Sequence, residues 1–200
     1  MIHLKKIKIF FITLLCPIIL LGNNQDLEVL KDILKLNPHL DQKQARQIGT
    51  QIWNDNRLTY LNLASENILL LPENFGNLQD LVYLNLEGNQ LSVIPESVCD
   101  LISLEELYLS DNMLIYLPEN IGNLIALEEL QISNNNISYL PSSICTLPSL
   151  LALRVNDNQL ISFPDSIGLL PKLETLTAAR NQIFKLPSTL MDLSNLSILI

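Results

Sequence analysis

From Leu58 to Asn195 the chain repeats one pattern six times, at a period of 23 residues, with neither insertion nor deletion. The pattern reads L-x-x-L-x-L-x-x-N-x-L-x-x-L-P-x-x-I-x-x-L-x-x. The third copy carries it as Leu104, Leu107, Leu109, Asn112, Leu114, Leu117, Pro118, Ile121 and Leu124, at positions 1, 4, 6, 9, 11, 14, 15, 18 and 21. A unit this short cannot enclose its own apolar face. A fixed period of this length therefore specifies a solenoid, in which each copy is covered by the next.

Positions 4 and 6 are apolar in every copy, from Leu61 and Leu63 to Leu176 and Ala178, while positions 3, 5 and 7 are mostly polar or small. Such alternation marks a short strand with one buried face. Strands repeated at constant spacing lie parallel, and the return path crosses over in the right-handed sense. Asn stands at position 9 in five copies, as Asn89, Asn112, Asn135, Asn158 and Asn181. There the chain turns away from the strand, and a carboxamide both donates to and accepts from backbone groups that lack ladder partners. Pro stands at position 15 of all six copies, from Pro72 to Pro187. Its fixed φ and missing N–H forbid a long helix, so the convex side is expected to hold short helical or 3₁₀ turns.

These residues resemble the leucine-rich-repeat family, in the 23-residue L-P-x-x-I-x-x-L form of Ras-linked scaffold repeats and of bacterial repeat proteins; the matching stretch is 138 of 200 residues. The resemblance implies an α/β fold: a curved right-handed solenoid with a parallel concave sheet that binds a partner, usually a protein. The first copy departs from the pattern, with Glu66 at position 9 and Asn67 beside it.

The flanks read differently. Lys5, Lys6 and Lys8 precede an uncharged run of 14 residues from Ile9 to Gly22. That run is shorter than the roughly 20 residues of a membrane-spanning helix, so residues 1–22 read as a signal peptide. Export to the cell envelope, periplasm or medium is expected, with no membrane span after cleavage; an uncleaved leader acting as an anchor is the alternative. Residues 23–57 read as a helical N-terminal cap. Leu27, Leu30, Ile33 and Leu34 fall at helical spacing before Asn37-Pro38, and a second helical segment is expected from Asp41 through Ile48 and Ile52 to Trp53. Residues 58–200 form the repeat domain, in which a truncated seventh copy begins with Leu196 and Leu199 and lacks a polar C-terminal cap. An uncovered strand there would favour self-association through the C-terminal edge.

No constellation for catalysis emerges. Beyond the leader the only histidine is His39, no glycine is followed by lysine, and Gly-x-Gly-x-x-Gly is absent. Neither a His-dependent triad, a phosphate loop nor a metal cluster is indicated, and no cofactor is expected. Cys99 and Cys145 both fall at position 19, two copies apart. Strand spacing puts them beyond disulfide reach, so they read as small buried side chains.

Alternation turns positions 3, 5 and 7 outward on the concave side, and there lie Tyr60, Tyr83, Glu87, Glu106, Tyr108, Glu129, Gln131 and Arg154. Tyrosine buries a large area at small rotamer cost and anchors many interfaces, although it also suits an exposed strand. From Leu58 to Ser149 there are 12 Asp and Glu residues and no Lys or Arg; removal of the leader shifts the net charge from −9 to −12. Such a chain repels nucleic acid and anionic membranes, and its Glu87, Glu106, Glu129 and Asp111 stripe favours a basic protein. Two functions fit: an exported, non-catalytic protein-binding module acting through this face, or an assembly component joined through its C-terminal edge.

Overall fold

The computed structural model describes residues 25–199; the signal-peptide reading at residues 1–22 lies outside the described residues. Eight strands form one sheet in sequential order: β1 (Thr50–Asn54), β2 (Arg57–Asn62), β3 (Tyr83–Asn85), β4 (Glu106–Tyr108), β5 (Glu129–Gln131), β6 (Ala152–Arg154), β7 (Thr175–Thr177) and β8 (Ile198–Leu199). From β2 onward neighbours are parallel and in register copy to copy, with Leu61, Leu84, Leu107, Leu130, Leu153, Leu176 and Leu199 aligned. The helical turns of the return paths are all 3₁₀, as the proline at position 15 demands.

Within each rung the leucines and isoleucines of the repeat point inward. Leu107, Leu109, Leu114, Leu117, Ile121 and Leu124 of the third copy have no exposed surface. At about 1.5–3 kcal/mol for each such side chain, this continuous apolar column is the main favourable term. Ala178 marks where the column thins, packing only partly buried against it.

The Asn ladder ties one rung to the next. The Asn112 amide donates to the carbonyls of Leu86 (2.9 Å), Leu109 (3.1 Å) and Ser110 (3.1 Å), and its Oδ1 accepts from the Leu91 N–H at 3.0 Å. Asn89, Asn135, Asn158 and Asn181 repeat this geometry on the rungs before and after. Just before the ladder, position 8 is left-handed in every copy, at Ser65, Gly88, Asp111, Asn134, Asp157 and Arg180, with φ from 53° to 68°. Small and Asx side chains tolerate that region best, which accounts for most of the residues found there.

On the convex side the turns alternate in length. Copies one, three and five carry three-residue 3₁₀ turns at Phe75–Asn77, Ile121–Asn123 and Ile167–Leu169. Copies two, four and six carry five-residue turns at Glu96–Asp100, Ser142–Thr146 and Ser188–Asp192. Gly122, at position 19 of a short turn, lies so close to the next rung that an added Cβ would overlap the Ser143 carbonyl and the Thr146 hydroxyl. The longer turns hold Cys99 and Cys145 instead, both buried as free thiols. Burial pushes the Cys99 thiol up to about 12, helped by Glu96 and Asp100, and burial raises that of Cys145 as well.

The N-terminal cap differs from the all-helical expectation. Its first part is α1 (Gln25–Leu36), which buries Val29, Leu30 and Ile33. Its second part is not a helix: after 3₁₀ turns at Pro38–Leu40 and Ala45–Gln47, Thr50–Asn54 forms β1 and pairs antiparallel with β2. The two-residue turn Asp55-Asn56 has both φ values positive, which matches the right-handed twist of a hairpin. Trp53 packs against the core opposite Leu58, while Ile52 is 44% exposed.

Buried polar groups fasten α1 to the stack. The Asp26 carboxylate, with no exposed surface, accepts from the Leu58 N–H at 2.7 Å and lies 3.4 Å from the Arg57 guanidinium. Burial raises its pKa, against the lowering pull of Leu58 and Arg57. Asn37 accepts from the N–H groups of Leu69 (2.7 Å) and Leu70 (3.3 Å) and donates to the Leu70 carbonyl at 2.9 Å. It serves the first rung from the cap. Glu66, at the first rung's position 9, has no preceding repeat to bond and instead pairs with Lys43, while its carbonyl meets His39 Nε2 at 3.0 Å.

Candidate functional site: the concave tyrosine and carboxylate face

The outward residues of β2 to β7 form two columns. Position 3 runs Tyr60, Tyr83, Glu106, Glu129, Ala152 and Thr175; position 5 runs Asn62, Asn85, Tyr108, Gln131, Arg154 and Thr177. Residues of distant rungs share this face only because the register never slips.

The three tyrosines form one aromatic block. Tyr60 and Tyr83 stack with centroids 4.2 Å apart and planes 9° from parallel; Tyr83 and Tyr108 lie 5.3 Å apart at 41°. All three are half-buried. Desolvation pushes the Tyr83 phenol up to about 12, and desolvation followed by the Glu106 hydrogen bond raises that of Tyr108, so both keep their protons at neutral pH.

Carboxylates border this block, but they are not equivalent. Glu106 Oε2 accepts from the Tyr108 hydroxyl at 2.6 Å and has no basic partner among the described residues. Glu129 is paired with Arg154 and also accepts from the Gln131 amide at 2.7 Å. Arg154 thereby neutralises one end of the acidic stripe. Asp111 accepts from the Asn134 amide, and the Glu87 side chain makes no hydrogen bond or ion pair among the described residues. Small outward residues are covered by their neighbours: Ser110 is 7% exposed, Ala152 9% and Thr177 8%. The open, chemically distinctive part of the face is therefore Tyr60, Tyr83, Glu87, Glu106 and Tyr108.

A second concavity lies away from this face, beside α1. Leu36, Leu70, Leu71 and Pro72, together with Asp32, Lys35, Glu73 and Asn74, line a cavity of about 550 Å³. Its walls are mainly apolar, and sequence reasoning missed it because it forms only where the cap meets the first rung. Among the described residues no helix is long and apolar enough to cross a membrane.

A sheet of short parallel strands backed by 3₁₀ turns and sewn by an Asn ladder defines a repeat solenoid. The chain belongs to the leucine-rich-repeat family: a model described as a leucine-rich repeat region matches residues 11–131 and again residues 107–200. Among solved structures it is similar to a leucine-rich-repeat protein of Leptospira interrogans, with 32% identity, a TM-score of 0.69, and coverage of 71% of this chain and 36% of that one. It is also similar to the ectodomain of the Arabidopsis thaliana membrane receptor kinase GASSHO1/SCHENGEN3 in complex with Casparian strip integrity factor 2, with 33% identity, a TM-score of 0.64, and coverage of 70% and 18%. The Arabidopsis receptor kinase HAESA, in complex with the peptide hormone IDA and the co-receptor SERK1, matches at 26% identity with a TM-score of 0.72, covering 88% and 33%. The chain thus spans about a third or less of the length of these structures. No curated protein matches it.

Proposed function

We propose that the chain is an exported, non-catalytic binding module that takes a protein partner with basic character on its concave face, through Tyr60, Tyr83, Glu87, Glu106 and Tyr108. The observation that carries this reading is the aromatic block, bordered by Glu87 and Glu106, on a sheet face that is otherwise polar or small. Half-buried tyrosines present ring surface at small rotamer cost, and such side chains are enriched at interface centres. One of these structures holds a peptide hormone together with a co-receptor, which agrees in kind with a proteinaceous ligand. Gln131 and Arg154 would form the rim, since both are engaged with Glu129. The Asn ladder is structural.

Charge reversal tests the reading. A partner captured on immobilised residues 23–200 should associate more slowly with the Glu87→Lys, Glu106→Lys double variant, and the salt dependence of its on-rate should flatten. Unchanged on-rates across the salt series would count against it. Sequencing the N-terminus of exported protein checks the leader, and a start near residues 23–25 is expected.

A further inference from the structure

Twice along the stack a carboxylate of one rung is met by an arginine of the next. Arg154 reaches back to Glu129, and Arg180 forks onto Asp157 through Nε and Nη2, the latter at 2.6 Å. In the cap an arginine also lies on an aromatic ring, with the Arg46 guanidinium 4.2 Å from the centre of Trp53. Upstream in the repeats the acids stay and the arginines stop. Relative to Glu106, the residue equivalent to Arg154 is Gln131, and its amide is turned to Glu129. Nothing between Leu58 and Ser149 is basic, so Glu87 and Glu106 have no cation within their own copies.

We infer that Tyr83, Glu106 and Tyr108 form a seat for an arginine side chain of the partner, an inference that rests on the concave face being the binding surface. The Tyr108 hydroxyl occupies Glu106 Oε2 and so fixes the carboxylate, leaving Oε1 to accept from outside. Tyr83 is the register partner of Glu106 and Tyr108 is bonded to it, so two rings tilted 41° to each other stand beside that acid. A guanidinium is planar, weakly hydrated and able to donate in its plane while its face lies on a ring. An ammonium is compact and strongly hydrated, so it gains less from a ring face while it holds the carboxylate. The seat therefore selects arginine over lysine, and it reproduces from outside the pairing that Arg154 and Glu129 make from within.

Random twelve-residue peptides displayed on phage and selected on the 200-residue chain test this, with Tyr83→Ala and Glu106→Gln chains as counter-screens. Glu106→Gln keeps the size of the side chain and an acceptor for Tyr108. Peptides dependent on Tyr83 should carry an enriched arginine, and replacing it with citrulline should weaken binding about tenfold, with lysine intermediate. On Glu106→Gln the citrulline change should have little further effect. Tyr83-dependent peptides that lack an enriched arginine, or that tolerate citrulline on the unmodified chain, would overturn the seat while leaving concave-face binding in place. Recovery of no peptide that depends on Tyr83 would overturn both.

Discussion

Replacing Asn112 with alanine removes one stitch of the ladder, and its cost follows from counting what loses a partner. The three carbonyls that accept from the Asn112 amide each keep another donor: Leu86 O from Asn89, Leu109 O from Asn135, and Ser110 O from the Gly88 N–H. The Leu91 N–H has only Asn112 Oδ1, at 3.0 Å. Leu91 has no exposed surface, so no water replaces the lost acceptor. An orphaned buried donor costs about 1–3 kcal/mol, and the lost amide donations add about 1 kcal/mol, so the substitution should destabilise by about 2–4 kcal/mol. Urea unfolding followed by far-ultraviolet circular dichroism measures this, and amide exchange at Leu91 localises it. A loss under about 0.5 kcal/mol, within the range of an ordinary surface substitution, or unchanged protection at Leu91, would show that the Leu91 N–H does not depend on Asn112. Asn112→Asp should be worse than alanine at neutral pH, because a carboxylate would face the same three carbonyls without a proton to donate.

Further outcomes follow from burial, charge and the tyrosine block. Leu109→Asp puts a charge into a fully enclosed site and should cost several kcal/mol, read as a collapse of the thermal midpoint. Tyr108→Ala should weaken partner binding by about 2 kcal/mol in titration calorimetry, while stability falls by only about 1 kcal/mol from the lost ring contact. Cys99, buried and with its thiol raised to about 12, should react with iodoacetamide in mildly alkaline buffer only at the rate of unfolding. Asp26 has a folded pKa above its ordinary 3.8, so the folded state binds its proton more tightly than the unfolded chain does. Its contribution is therefore largest in acid and declines as pH rises from the ordinary value through the raised one. Compared with Asp26→Asn, the natural chain should gain stability at about pH 3.5 relative to about pH 7 in parallel urea titrations.

The repeats were legible because each position answers to a single physical demand, with leucine filling the column, asparagine satisfying the turn and proline stopping a helix. The cap was legible only in part. Ile48, Ile52 and Trp53 fall at spacings that a helix and a hairpin share, and the deciding signal was the Asp55-Asn56 turn bracketing a five-residue strand. Asn37 and Asp26 escaped notice because their partners, Leu69 and Leu58, are 32 residues away and no periodicity connects them. On the concave face alternation placed every outward residue, yet it could not say that Arg154 neutralises Glu129 or that Tyr108 donates to Glu106. Those contacts depend on rotamers within and across rungs. The alternation of long and short convex turns was present as Gly76, Cys99, Gly122, Cys145, Gly168 and Met191 at position 19, but its meaning lies in how closely successive turns approach.

On the proposed reading the sheet face, and not the convex side, receives the partner. Photo-crosslinking tests it most directly: p-benzoyl-phenylalanine is placed at Gln131 on the concave face in one chain and at Ile115, 51% exposed and outside the sheet, in another. Both are irradiated with the captured partner. Crosslinks from position 131 alone, competed by excess unmodified chain but not by Tyr83→Ala chain, are predicted; crosslinks from position 115 alone would contradict the account.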